Sequence, residues 1–134
     1  MSRYLLDTSA LLALRDDEPG ADRVNAILLE AGDGTATVHA CFMSLMEVMY
    51  RVWKDEGEAA GRAAYAQCHA LPIIWTHESP ELLESAARLK ALYPLSLADA
   101  WIAAAAMQSD ATLVHKDPEF EAVHSLLEER LPYK

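Results

Sequence analysis

Basic residues are scarce in this chain. Eleven lysines and arginines stand against 21 aspartates and glutamates in 134 residues, a formal net charge of −10. A bulk field of that sign repels polyanions, nucleic acid included, and suits divalent cations or a basic partner. A polyanionic substrate is compatible with it only where cations or a few local Arg and Lys side chains neutralise the approach. Cysteine is scarce too. Cys41 and Cys68, both read as lying in helical segments, cannot build a disulfide framework and are expected as reduced thiols. No apolar run approaches the roughly 18 residues of a membrane helix; residues 100–107 come nearest. Met1-Ser2-Arg3 passes straight into an apolar strand-like run, so no cleavable leader is expected and the cytoplasm is the expected location. Repeats, low-complexity tracts and linkers are missing as well, so a single domain over 1–134 is expected.

Several catalytic signatures are absent. No Gly-x-Ser-x-Gly elbow occurs, which excludes the usual serine hydrolase, and no Gly-x-x-x-x-Gly-Lys loop cradles a nucleotide. His39 with Cys41, and Cys68 with His69, lack the spacing of zinc ligands. A phosphoryl-transfer enzyme with an aspartate nucleophile would carry Asp-x-Asp after its first strand, and Ser9 holds the second position here.

What is present is an alternation of short apolar strands and helices. Tyr4 to Leu6 reads as a buried strand, followed by a short helix from Ala10 to Leu14 and a break at Asp17-Glu18-Pro19-Gly20. Val24, Ile27, Leu28 and Ala31 have helical spacing within 21–31. Thr35 to His39 reads as a strand, Ser44 to Trp53 and Glu58 to Ala70 as helices, and Leu71 to Trp75 as a strand. Pro80 opens a helix to about Tyr93, Ser96 an Ala-rich helix to about Gln108, and Thr112 to His115 is another strand. Leu126 to Leu131 is a weak final strand, because Glu128-Glu129-Arg130 interrupts it. This order predicts an α/β sandwich on a mostly parallel sheet, whose ligands bind at the carboxyl ends of the strands.

Four acids have contexts unlike those of surface acids. Asp7 directly follows the apolar Leu5-Leu6, at a strand end; a helix cap is the alternative reading. Glu47 stands within Phe42-Met43-Ser44-Leu45-Met46-Glu47-Val48-Met49-Tyr50, where an unpaired buried carboxylate would cost several kcal/mol. A bridge to Arg51 four residues on is its structural alternative. Asp99 opens the Ala-rich helix three residues after Ser96, which also fits a capping box. Asp117 follows Leu113-Val114-His115-Lys116 and precedes Pro118, and could simply start a turn. Glu119 could be a fifth carboxylate, with a surface role as the plainer reading, while Asp16, Asp17, Glu56, Glu58 and Glu128 read as solvated. Clustered carboxylates about 4 Å apart repel by about 4 kcal/mol per pair at an effective dielectric near 20. They are tolerated where they bind cations or hold protons, and oxygen-only ligands select magnesium, manganese or calcium.

At these residues the sequence resembles the PIN-domain nucleases, and most closely the VapC-type toxins of toxin–antitoxin pairs. Leu5-Leu6-Asp7-Thr8-Ser9-Ala10-Leu11-Leu12-Ala13-Leu14 is similar to the family's first motif and Ser44-Leu45-Met46-Glu47-Val48 to its second. Leu95-Ser96-Leu97-Ala98-Asp99-Ala100-Trp101-Ile102 resembles the third, and Ala111-Thr112-Leu113-Val114-His115-Lys116-Asp117-Pro118-Glu119-Phe120 the fourth. The resemblance implies a PIN-like three-layer sandwich with a central mostly parallel sheet flanked by helices. It implies hydrolysis of RNA phosphodiester bonds with Mg2+, or Mn2+, held by Asp7, Glu47, Asp99 and Asp117 as the catalytic and metal-binding acids. It also implies a cognate antitoxin protein as partner and a homodimer, for which the apolar helix 44–53 is a candidate contact. An inactive PIN-like module that binds a basic partner is the alternative. His115 departs from the pattern, since the family often has Thr or Ser there. Arg15, Arg51, Lys54 and Lys116 lie near the motifs and could meet phosphates, with solvent exposure as the plainer reading. Trp53, Trp75 and Trp101 read as packing residues rather than base-stacking platforms.

Overall fold

Leu5 and Leu6 are both fully buried, and they pack into different hydrophobic clusters on opposite sides of one sheet. Leu113 and Val114 repeat the arrangement on a neighbouring strand. A strand covered on both faces has no need of polar alternation, which is why these stretches are short continuous apolar runs.

The computed structural model describes residues 1–133. Its chain runs β1 (Ser2–Leu6), α1 (Thr8–Arg15), α2 (Ala21–Gly32), β2 (Ala36–Cys41), α3 (Phe42–Glu56), α4 (Glu58–Ala70), β3 (Ile74–Thr76), α5 (Pro80–Leu92), α6 (Leu97–Gln108), β4 (Thr112–His115), a 3-10 turn (Pro118–Ala122) and β5 (Glu128–Arg130). The five strands are ordered β3-β2-β1-β4-β5 and every pairing is parallel. Helices α1 to α4 cover the Leu6 face, while α5, α6 and the 3-10 turn cover the Leu5 face. The result is the three-layer α/β sandwich expected from sequence, with a fully parallel sheet.

The order places the site. Strands β1, β2 and β3 step outward to one side, and the chain then returns to lay β4 against the other side of β1. The carboxyl ends of β1 and β4 therefore flank the point where the winding reverses, which is where open α/β sheets bind ligands. The Asp7 N–H donates to Val114 O at 3.2 Å, tying the two strand ends together.

Two local readings are corrected and a weak one is borne out. Cys41 ends β2 rather than lying in a helix, although it is buried and reduced as expected. The third strand is Ile74–Thr76, shifted towards the carboxyl end, because 71–73 forms a turn in which Ile73 N donates to Leu71 O and Pro72 has no N–H to offer a ladder. The weak final strand is real: Glu128–Arg130 pairs with β4, and its side chains stay at least partly exposed because it is an edge. None of the described helices is long and apolar enough to cross a membrane.

Candidate active site

Each of the four acids singled out from sequence is set by a different part of the fold. Asp7 leaves β1 and caps α1: Oδ1 accepts from the Ala10 N–H at 2.9 Å and from the Ser9 hydroxyl at 2.7 Å. Asp can cap with one oxygen and keep the other for a ligand, so the cap reading and the site reading are both met. Ser9 Oγ in turn accepts from the Lys116 N–H at 3.0 Å, which fastens the start of α1 to the loop after β4. Asp117 caps the 3-10 turn, its Oδ1 accepting from the Glu119 N–H at 2.9 Å. Asp99 lies in the first turn of α6, its N–H held by the Ser96 hydroxyl at 3.1 Å. Glu47 projects from α3, and its Oε1 accepts from the Thr8 hydroxyl at 2.6 Å.

The ends of α6 and β4 bring carboxylate oxygens of Asp99, Asp117 and Glu119 within 4.8 Å of one another. Asp7 and Glu47 stand outside that trio but are coupled to it, since the charges of Asp117 and Glu47 both act on Asp7. Glu119, though exposed, therefore lies beside Asp99 and Asp117. The 3-10 turn explains this: capped by Asp117, with Pro118 next, it carries Glu119 back to the same rim. A Pro-Glu pair directly after a capping Asp was the signal for it. The buried hydroxyls of Thr8 and Ser44, 3.0 Å apart beneath Glu47, were also not singled out, although Asp7-Thr8-Ser9 at a strand end was the cue.

The electrostatics fit a cation. Asp7 is 3% exposed, and burial, helped by the charges of Asp117 and Glu47, pushes its carboxyl up to about 7 against the pull of the Ser9 and Ala10 hydrogen bonds. Burial likewise pushes Asp99 up to about 9, together with its close contacts to Glu119 and Asp117. Carboxyls held this far above their ordinary range share protons when no other positive charge neutralises them. A purely carboxylate donor set is the hard-oxygen kind that suits magnesium or manganese.

Beside the acids runs a groove of about 680 Å³, lined near the site by Ser9, Arg51, Lys116 and Asp117 and further out by Arg15 and Glu18. Its cations are partly committed. Arg15 binds Glu56 through two contacts of 2.8 and 3.1 Å, and the largely buried Lys116 ammonium stands 3.6 Å from Glu18. Lys116 is therefore not the solvated side chain its position suggested. Arg51 lies 3.6 Å from Glu47 as the helical spacing predicted, and its side chain is 46% exposed. Trp101 packs edge-on against Phe42 at 5.1 Å, and Arg62 lies over the half-exposed Trp53.

The model of the PIN domain family matches residues 4–126. No curated protein sequence matches the chain. Among solved structures, the VapBC2 complex of Rickettsia felis bound to a promoter DNA fragment contains a similar chain (TM-score 0.77, 19% identity, 97% of this chain and 99% of that one covered). The DNA-bound VapBC of Salmonella typhimurium gives 0.77 at 18% identity, with 97% and 98% covered. VapC20 of Mycobacterium tuberculosis, a sarcin–ricin-loop-cleaving toxin, gives 0.71 at 17% identity, with 98% and 100% covered. At these identities the likeness is one of fold.

Proposed function

The chain belongs to the PIN domain family, and from that membership we propose that it is a metal-dependent endoribonuclease, the toxin of a toxin–antitoxin pair, acting in the cytoplasm as one nuclease unit over 1–134. One observation carries this reading. Asp99, Asp117 and Glu119 bring carboxylate oxygens within 4.8 Å of one another, the charges of Asp117 and Glu47 act on Asp7, and Asp7 and Asp99 are held far above their ordinary range. A fold does not keep such mutual repulsion at its ligand-binding rim without a use for it.

Asp7, Asp99 and Asp117, with Glu119 beside them, would hold Mg2+ or Mn2+, with Glu47 completing the set directly or through water. The ion supplies charge neutralisation at the reacting phosphate and a lowered pKa for water. Glu47, fixed on Oε1 by Thr8 and with Oε2 3.6 Å from Arg51, would accept the proton of the attacking water. Arg51, at the mouth of the groove, meets the phosphate backbone of the RNA. This answers the net charge of −10, because the neutralising groups are needed only along the path of the strand.

The partners follow from the same reading. An antitoxin segment would cover the apolar groove of about 210 Å³ between Leu11, Leu14, Val48, Cys68 and Leu71. A homodimer would use α3, where Met46, Tyr50 and Trp53 are 55%, 46% and 40% exposed.

The test is cleavage of RNA by the purified chain. Magnesium or manganese should support it, EDTA should abolish it, and folded Asp99→Asn should lack it. Cleavage undiminished in chelator would reject the metal mechanism. If neither metal supports cleavage, the acidic surface would instead be that of an inactive module binding a basic partner, the reading that the net charge favours.

A further inference from the structure

His115 is fully buried at the carboxyl end of β4, two residues before Asp117. Its Nδ1 accepts the Asp117 N–H at 3.0 Å. Its ring packs edge-on against Phe120 at 5.0 Å, on the far side of the same turn. Nε2 makes no close hydrogen bond and stands 3.5 Å from Glu128 Oε1 of β5. The contact to Asp117 is therefore the short hydrogen bond of this buried ring, and it goes to the backbone of a candidate site acid.

The loop this contact shapes is short and fully determined. Asp117 gives its N–H to His115, and its Oδ1 takes the Glu119 N–H at 2.9 Å. These two bonds set both where the Asp117 backbone leaves the strand and how its carboxylate is rotated. Side chains that accept the N–H two residues ahead form Asx- and ST-turns, the habit of Asn, Asp, Ser and Thr. An imidazole Nδ1 does the same job here from within the core.

We propose that His115 is a positioning residue for the metal site: Nδ1 acts as the turn acceptor that aims Asp117 at Asp99 and Glu119, while the ring separately anchors the turn against Phe120. The claim rests on the metal-site reading above, and the two roles of the side chain can be taken apart. His115→Leu keeps the bulk and removes the acceptor. His115→Asn keeps an acceptor at the same distance from the backbone and removes the ring. His115→Thr offers a hydroxyl acceptor.

The test titrates each full-length variant with MnCl2 by calorimetry and records its melting temperature without metal. Losing an outer hydrogen bond to a ligand costs about 10- to 100-fold in metal affinity. His115→Leu should weaken manganese binding by that factor while melting close to the parent. His115→Asn and His115→Thr should bind manganese within about threefold of the parent while melting roughly 5–10 °C lower, since the ring's packing is lost. A purely structural His115 would give the opposite ranking, affinity following melting temperature. Parent-like affinity in His115→Leu overturns the proposal. So does lost affinity in folded His115→Asn, which also decides the matter should the Leu variant not fold. No manganese binding by the parent overturns the metal site itself, and the positioning role with it.

Discussion

Thr8 donates its hydroxyl hydrogen to Glu47 Oε1 at 2.6 Å, joining the first turn of α1 to the middle of α3 across 39 residues of sequence. Thr8 is buried and Glu47 nearly so, so water cannot replace the bond. Thr8→Val keeps the shape and removes the donor. Hydrogen bonds to charged groups are worth roughly 1.5–3 kcal/mol, so the variant should be destabilised by about that amount in denaturant. Its RNA cleavage should fall by about tenfold in kcat, because Glu47 loses its orientation. Thr8→Ser should restore most of both. Unchanged kcat in folded Thr8→Val would remove Glu47 from the proton-transfer role.

The raised carboxyls make stability depend on pH in a direction opposite to that of ordinary acids. Asp7 titrates near 7 in the folded chain and near 3.8 when unfolded, and Asp99 near 9. Between those values the native state holds protons that the unfolded state has released, so stability falls as pH rises. The contribution of Asp7 is whole below pH about 4 and is lost through pH about 7, a matter of a few kcal/mol. The metal-free protein should therefore melt higher at pH about 5.5 than at pH about 8.5. Millimolar magnesium should reverse the order by stabilising the ionised site. Asp7→Asn retains a capping oxygen for Ser9 and Ala10. It should raise the metal-free melting temperature at the higher pH, lose the magnesium response and lose cleavage. A pH-independent melting temperature, or a magnesium response surviving in Asp7→Asn, would contradict the clustered site.

How far the sequence exposed this site depends on what each residue's neighbours reveal. Asp7 and Asp117 were legible because a parallel strand buried on both faces is a run of apolar residues, and an acid at its carboxyl end is conspicuous. Glu47 and Asp99 were legible because apolar residues surround them. Glu119 was legible only as a possibility, since Pro118 and Glu121 near it look like solvent-facing loop and the 3-10 turn sets its direction. Lys116 misled for the opposite reason: its charge suggests solvent, while its backbone is pinned by Ser9 and its ammonium is drawn back to Glu18. Strand β3 was misplaced because Leu71 and Ile73 carry strand-like side chains on a turn that Pro72 imposes. Residue type and spacing reported burial well; they did not report the path of short turns.

Gly61 sets the distance between α3 and α4. A Cβ placed there would lie 2.7 Å from Trp53 Cβ and 2.8 Å from the Met49 carbonyl oxygen. Alanine in a helix is worth about 1 kcal/mol over glycine, but the atoms met here belong to the backbone and stem of α3 and cannot swing aside. Overpacking costs of about 1–3 kcal/mol should win. Gly61→Ala should lower the melting temperature by several degrees and loosen α3, which carries Glu47. Gly32, also helical, has open space about its Cβ position, so Gly32→Ala should be neutral or stabilising. Equal effects at the two glycines would argue against close helix contact at Gly61.

Arg51 separates the substrate's contribution from the metal's. Arg15 and Lys116 share its groove but are held by Glu56, Asp16 and Glu18. Arg51 has a long 3.6 Å ion-pair contact to Glu47 beside a contact to Tyr50, and its side chain, 46% exposed, lines the groove. A guanidinium so placed can take a phosphate without first breaking a tight pair. Arg51→Ala should therefore raise KM for RNA by about tenfold, leave kcat within a few-fold, and lower the slope of log affinity against log salt by about one. Manganese affinity should stay near that of the parent or rise slightly, because Arg51 competes with the cation for Glu47. If kcat collapses instead while KM and the salt slope hold, Arg51 acts through Glu47 and not on the phosphate. Arg51→Lys, which keeps the charge and loses the planar fork, should then fail as badly as Arg51→Ala, whereas under the phosphate assignment it should recover most of the salt dependence.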